Sequence, residues 1–167
     1  MEAFQYRAGW FLCEAVPVQS IAERFGTPTY VYSRAAILAN YRRLERGLSP
    51  LPGLICYSVK ANSSLKILSL LRQAGAGFDI VSVGELARVR RVGADPEAIV
   101  FSGVGKTQAE VDAGLEIGIL MFNVESGGEL ELIQGRARAL GKRAAVSIRV
   151  NPDVVTETHP YISTGQI

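Results

Sequence analysis

The chain has 167 residues, of which 48% are apolar and 20% are charged, and its formal net charge is +2. This length suffices for one domain with a hydrophobic core and is short for two domains of full size. The charges are balanced and form no long block of one sign, so nothing favours nucleic acid or an anionic membrane as a partner.

The first residues and the cysteines indicate the compartment. Met1 is followed by EAFQYRAGW, which lacks the basic start and the apolar run of a signal peptide. No apolar stretch approaches the roughly 20 residues that a bilayer-spanning helix needs. Cys13 and Cys56 lie far apart, and two cysteines with a single histidine make a poor zinc site. We therefore expect a cytoplasmic protein with reduced thiols and no bound metal.

Short runs of β-branched and aromatic residues alternate with longer amphipathic segments along the chain. The predicted strands are 29–32, 54–60, 78–82, 99–102, 119–123 and 145–150. The predicted helices lie near 34–48, 64–74, 84–92, 107–117 and 126–140. Successive strands are about 20–25 residues apart, which is typical of βα units with short connections. This alternation predicts a parallel sheet with right-handed crossovers.

Two of these helices carry terminal signals. In the helix near 64–74, Leu65, Leu68 and Leu71 share one face, and Gly75 is placed to end the helix. The helix near 107 opens with Thr107 and has Glu110 three residues later, which is the pattern of a capping box.

The run GVGKT at 103–107 imitates a phosphate-binding loop. That motif requires a glycine five residues before Gly105, and position 100 is valine. We interpret Gly103 and Gly105 as a turn at the end of a strand. The glycine pattern of a Rossmann dinucleotide site is also missing after the first strand.

Polar residues cluster where the predicted strands end, and this distribution favours a barrel over a doubly wound sheet. In a (β/α)8 barrel the carboxyl ends of all strands converge on one face, where the active site lies. The residues concerned are Lys60, Asn62, Asp79, Ser82, Ser102, Asn123, Arg149 and Asn151.

The stretch LICYSVKAN at 54–62 places Lys60 at the end of an otherwise apolar strand. A lysine in this position is either a solvated strand terminus, with its amine reaching water, or a reactive amine with a depressed pKa. Local sequence alone favours the solvated terminus.

Five segments resemble consecutive blocks of the bacterial diaminopimelate decarboxylase family, which has the alanine-racemase-like fold of pyridoxal-phosphate enzymes. They are YSVKANSSLKIL, GAGFDIVSVGEL, IVFSGVGKTQAE, FNVESGGELELI and SIRVNPDVVTETHPYISTG. The resemblance implies an α/β fold, the N-terminal part of a (β/α)8 TIM barrel that stops after about five barrel strands. It also implies that residues 1–32 belong partly to a C-terminal β domain, and that 33–167 form a partial cofactor-binding barrel.

The resemblance assigns candidate roles to four residues. It implies that Lys60 binds pyridoxal 5'-phosphate covalently, that Asp79 lies beside the cofactor, and that Arg149 lies near it. His159 would be close to the substrate. Without the resemblance, Asp79 is more simply a helix cap or the partner of an arginine. Arg149 would then pair with an acid such as Asp79, and His159 would be a solvated loop residue.

Three other polar residues at strand ends, Asn62, Ser82 and Glu85, are expected to be helix caps or supporting groups. The implied reaction is decarboxylation of meso-2,6-diaminopimelate to L-lysine, by a homodimer in its full-length form. The chain by itself is expected to be an inactive N-terminal fragment. Two alternatives stay open, a decarboxylase of another amino acid in the same fold and a non-catalytic fragment.

Overall fold

The structure, a computed structural model, describes residues 2–150. Its first part is a three-stranded antiparallel sheet of β1 (Phe4–Arg7), β2 (Trp10–Cys13) and β3 (Val16–Pro17), followed by helix α1 (Val18–Phe25). None of these elements is predicted from the sequence, because strands of two to four residues and a helix of eight residues are too short to show a clear periodic pattern. The thiols of Cys13 and Cys56 are free in this structure.

The second sheet has five parallel strands, each followed or preceded by a helix. Its elements are α2 (Arg34–Leu48), β4 (Cys56–Ser58), α3 (Leu65–Gln73), β5 (Gly77–Ile80), α4 (Val83–Arg91), β6 (Ile99–Phe101), α5 (Gln108–Ile117), β7 (Met121–Val124), α6 (Gly127–Ala139) and β8 (Val146–Ile148). Short 3-10 helices cover Val59–Ala61 and Pro96–Ala98. The strand order β4-β5-β6-β7-β8 follows the sequence. In a doubly wound sheet the strand order would instead reverse about the first strand. The predicted parallel and sequential pairing is confirmed.

The prediction of a strand at 29–32 is wrong. Residues 29–32 have no regular secondary structure, and the side chains of Tyr30 and Tyr32 are exposed. A segment of β-forming residues such as TYVY becomes a strand only when a neighbouring strand provides hydrogen bonds and a packing surface. Within residues 2–150 no strand pairs with this segment.

One face of the parallel sheet packs against the helices and forms the main core. Phe78, Ile80, Phe101, Phe122 and Val124 are buried there among apolar residues of α3 to α6. Because side chains alternate along a strand, the residues between them lie on the opposite face. That face carries polar residues at matching positions, described below.

The helix ends confirm the predicted signals. Thr107 accepts a hydrogen bond from the N–H of Glu110, and the Glu110 carboxylate accepts from the N–H of Thr107, which completes the capping box. Gly75 follows α3 with a φ of 99°, a conformation that glycine adopts without steric conflict. Within the described residues, none of the helices combines the length and apolar character needed to span a bilayer.

Glu14 connects the antiparallel sheet to the first helix of the parallel part. Its Oε1 accepts hydrogen bonds from the Ala35 N–H and the Ser33 hydroxyl, both at 2.8 Å, at the start of α2. The bond from the Ala35 backbone and then that from Ser33 lower the pKa of Glu14. A carboxyl group with a lowered pKa in the folded state stabilises the fold above its ordinary pKa, and this stabilisation disappears as the pH falls through the lowered value.

We therefore predict that Glu14→Ala lowers the free energy of unfolding at neutral pH, and that the difference from the parent shrinks on acidification. Urea unfolding at a series of pH values measures this. Glu23→Ala is the control, because the exposed Glu23 accepts a hydrogen bond from the exposed Gln19 side chain one helical turn away, and no other side-chain hydrogen bond engages it among residues 2–150. A Glu14→Ala deficit that stays constant down to strongly acidic pH would contradict the prediction.

Candidate active site

Lys60 lies on a short, anchored turn at the carboxyl end of β4. The preceding Val59 is fully buried in the core, while Lys60 itself is exposed. The Tyr57 hydroxyl donates to the Asn62 carbonyl at 3.3 Å and spans the turn that contains the lysine. Among residues 2–150, no hydrogen bond or ion pair occupies the Lys60 amine. The sequence thus places a solvent-accessible amine on a backbone that packing holds in place.

Asp79 lies on the neighbouring strand, on the face opposite the core. It pairs with Ser58 in the register of β4 and β5, and the Ser58 hydroxyl donates to its Oδ2 at 3.1 Å. The Ser102 hydroxyl donates to its Oδ1. The Asn123 amide in turn donates to the Ser102 oxygen at 2.8 Å. These hydrogen bonds form a row across β4 to β7 that we call the polar row: Ser58, Asp79, Ser102 and Asn123.

The polar row determines how the carboxylate of Asp79 is held. Asn123 donates its amide proton to Ser102, so the single hydroxyl proton of Ser102 is directed at Asp79. Each carboxylate oxygen accepts from one serine, which fixes the orientation of the group. Asp79 is therefore neither a helix cap nor, in the described structure, the partner of an arginine.

Arg149 lies further along the sheet, at the end of β8. Its backbone N–H donates to the Val124 carbonyl at 2.9 Å, which extends the pairing of β7 and β8 by one residue. Its Nη1 donates to Glu125 Oε2 at 3.0 Å, and about half of the Arg149 side chain is exposed. Arg149 does pair with an acid, but that acid is Glu125, so the alternative pairing of Arg149 with Asp79 is wrong. The two residues stand three strands apart.

The structure therefore brings Lys60 and Asp79 to adjacent strands and leaves Arg149 on the same edge at a distance. His159 lies outside the described residues. Ser82 caps α4, Glu85 accepts the Val81 N–H at 2.8 Å, and Asn62 accepts the Ser64 N–H at 2.9 Å. Ser82 is thus a helix cap, and Glu85 and Asn62 are supporting groups that accept backbone N–H donors, in line with the expectation for these three residues.

Sequence reasoning did not assign the hydrogen-bonding role of the polar row. A usable signal existed, since Ser58 precedes Lys60 by two residues and Ser102 and Asn123 follow buried phenylalanines. Alternation then puts each of them on the face opposite the core. The partner of Arg149 had no such signal.

The residues at this edge fit the expected pyridoxal group. Such a group needs an amine that can bond to its aldehyde, and Lys60 offers one. The nearby Cys56 is no rival nucleophile, because burial, and to a smaller extent the Asp79 carboxylate, raises the pKa of its thiol and keeps it protonated. Asp79 supplies a fixed negative charge on one side and Arg149 an accessible positive charge on the other.

Comparison with known proteins agrees with this geometry. Residues 34–167 match the family described as pyridoxal-dependent decarboxylase, pyridoxal binding domain. A diaminopimelate decarboxylase of Pseudomonas aeruginosa is 57% identical over 165 residues, which are 99% of this chain and 40% of that protein. The chain thus spans about 40% of the length of the curated relatives it matches.

Two solved structures show the same fold. Diaminopimelate decarboxylase from Helicobacter pylori, complexed with L-lysine, has a TM-score of 0.85 and 43% identity, covering 89% of this chain and 38% of its own. The enzyme from M. jannaschii, also with L-lysine, has a TM-score of 0.88 and 39% identity, covering 98% and 39%. The predicted fold class, the N-terminal part of a (β/α)8 barrel, is confirmed. The chain belongs to the pyridoxal-dependent decarboxylase family, and its residues 34–167 match the pyridoxal binding domain of that family.

Proposed function

We propose that this chain is the N-terminal part of a decarboxylase that converts meso-2,6-diaminopimelate to L-lysine and CO2. The observation that carries the proposal is the 57% identity to a diaminopimelate decarboxylase over 99% of the chain. Two structural relatives of that name contain L-lysine, the product of this reaction. The term full-length enzyme is used below for the longer protein that we propose to contain this chain.

The residues of the site have distinct tasks in this proposal. Pyridoxal phosphate, when bound, supplies a sink for the electron pair left behind as CO2 departs. Lys60 Nζ would hold the cofactor, and its amine would also be able to take up or deliver a proton during the reaction. The anchored turn holds the backbone of Lys60 at the end of β4, the strand that pairs with β5 and its Asp79. A lysine on a mobile loop would lose that advantage.

Asp79 and Arg149 provide charges of opposite sign. The two serines that hold both oxygens of Asp79 leave its negative charge in one orientation, where it favours a cationic group beside Lys60. Arg149 uses Nη1 for Glu125 and exposes about half of its side chain, so other N–H donors stay available for an anionic oxygen of the cofactor.

The organisation around this core is also part of the proposal. Residues 1–32 would belong partly to a C-terminal β domain, and 33–167 to the barrel. The exposed Tyr6, Trp10 and Phe11 on the antiparallel sheet support this, because such a surface suits further chain packed over it. We also propose a cytoplasmic homodimer without nucleic acid or membrane partners. The small net charge of the chain supports only the absence of such partners.

The experiment is a decarboxylation assay on the full-length enzyme with meso-diaminopimelate, L-lysine, L-ornithine and L-arginine as substrates. We expect L-lysine and CO2 from diaminopimelate and little turnover of the other three. The purified 167-residue chain, with its mass verified, should show no turnover. Turnover of another amino acid in preference to diaminopimelate would replace the substrate assignment. Turnover by the 167-residue chain would show that the site lies wholly within it.

A further inference from the structure

Lys106, in the turn after β6, is a buried lysine whose side chain is 2% exposed. Its Nζ donates to the Gly103 carbonyl at 2.8 Å, to the Asn123 carbonyl at 2.7 Å and to Glu129 Oε1 at 2.9 Å. These acceptors use all three N–H bonds of the ammonium group. No N–H donor of Lys106 remains for a phosphate. The lysine of GVGKT instead binds acceptors inside the fold.

Glu129, in the first turn of α6, joins this lysine to the end of β7. Its Oε1 accepts from Lys106, and its Oε2 accepts from the backbone N–H of Glu125 at 2.7 Å. Lys106 also binds the carbonyl of Asn123, two residues before Glu125. The segment 123–125 is therefore held at both ends by the same ion pair.

A second loop in the chain has the same hydrogen bond between a glutamate and a backbone N–H, but without a lysine. We call this glutamate contact the cap. The segments FDIVSVGEL (78–86) and FNVESGGEL (122–130) occupy equivalent positions after β5 and β7. Glu85 accepts the Val81 N–H at 2.8 Å, as Glu129 accepts that of Glu125. Among the described residues, no ion pair engages Glu85. The contact between the glutamate and the backbone N–H therefore does not require a buried cation. Lys106 must have a different role.

The two loops differ in the residue that the cap holds. The first loop has Val81 there, and the second has Glu125, whose Oε2 accepts from Arg149 Nη1 at 3.0 Å. A buried ion pair contributes little net stability, because desolvation of two charges opposes their attraction, but its geometry is strictly defined. Lys106, from the turn after β6, thus contacts the loop that presents a carboxylate to an arginine.

We propose that Lys106 and Glu129 are positioning residues: their buried ion pair fixes Glu125, and through it orients the guanidinium of Arg149 toward the cofactor. This inference rests on the proposed function, in which Arg149 contacts the cofactor. The contacts run from the turn after β6, through the end of β7, to the end of β8. Lys106 acts through these neighbours, and its amine contacts neither cofactor nor substrate.

The test is a double-mutant cycle in the full-length enzyme. Lys106→Met removes the charge and keeps most of the volume, while Arg149→Met removes the guanidinium. The readout is the cofactor dissociation constant from a titration followed by visible absorbance. We expect Lys106→Met alone to weaken cofactor binding by about tenfold, and by less than about twofold when Arg149 is already methionine. Fold-changes that simply multiply in the double variant would overturn the proposal.

A control separates positioning from capping. Glu85→Gln alters the equivalent cap that lacks a lysine and should leave the cofactor dissociation constant unchanged, whereas Glu129→Gln should raise it as Lys106→Met does. Equal effects of the two glutamine variants would overturn the proposal. If Lys106→Met does not fold, the pair Lys106→Met/Glu129→Gln, which leaves no unpaired buried charge, takes its place in the cycle.

Failure of the proposed function gives a different pattern. In that case Arg149→Met alone would leave the cofactor dissociation constant unchanged. The positioning network is then tested on the free energy of unfolding with the same variants, where non-additive effects of Lys106→Met and Arg149→Met are expected. Additive effects on unfolding would overturn the network itself.

Discussion

Lys60→Ala in the full-length enzyme is expected to lower the decarboxylation rate by several orders of magnitude, because it removes the only atom proposed to bond to the cofactor. Cofactor can still bind through its phosphate, so loss of binding is not the diagnostic. Borohydride reduction is more specific, since it converts the bond between lysine and cofactor into a stable secondary amine. Peptide mapping of the reduced enzyme should place the label on the peptide with YSVKAN.

The other three lysines of the chain are the internal controls. Lys106 and Lys142 hold backbone carbonyls, with Lys142 Nζ at 2.7 Å from both the Leu115 and Glu116 oxygens. Lys66 is exposed on α3 and resembles Lys60 in accessibility alone. Lys66→Ala should leave turnover unchanged. Lys60→Arg should fail as Lys60→Ala does, because a guanidinium stays protonated and is no nucleophile. A label on another lysine, or near-normal turnover of Lys60→Ala, would refute the assignment.

Phe101→Ala is expected to lower the free energy of unfolding of the chain by about 3–5 kcal/mol. The Phe101 side chain is 0% exposed in the core between sheet and helices, and its ring stacks on Phe122 with centroids 6.0 Å apart. Removal of the ring leaves a cavity that the surrounding strands cannot fill. Urea unfolding followed by circular dichroism gives the value.

The same substitution at Phe25 is the matched control. Phe25, at the end of α1, is 67% exposed, so Phe25→Ala should change the free energy of unfolding by about 0.5 kcal/mol or less. Phe101 also directly precedes Ser102, which donates to Asp79. We therefore expect Phe101→Ala to weaken cofactor binding in the full-length enzyme as well. Equal destabilisation by the two variants would mean that the core does not depend on the Phe101 ring.

Much of the candidate site was predictable, because its parts occur at strand ends. Lys60 follows the short strand β4, Asp79 lies near the end of β5, and a parallel sheet brings the carboxyl ends of neighbouring strands together. The fine structure was not predictable. Asp79 is oriented by Ser58 and Ser102, which are more than 20 residues away in sequence, and only the register of three strands brings them within hydrogen-bonding distance.

Local chemistry was enough to determine the helices from α2 onward, their caps and the βα alternation, whereas α1 was not predicted. A capping box such as Thr107–Glu110 depends on atoms within one helical turn, and side-chain alternation depends only on the pleat of a strand. Interactions between distant segments were decided by the tertiary structure alone. TYVY at 29–32 stays irregular because no strand within residues 2–150 pairs with it. Arg149 meets Glu125 and not Asp79 because β8 pairs with β7. Lys106 is buried because groups that follow β6 and β7 in the sequence, together with the end of β7 itself, surround its amine. Hydrogen bonds in such a buried site are stronger than in water.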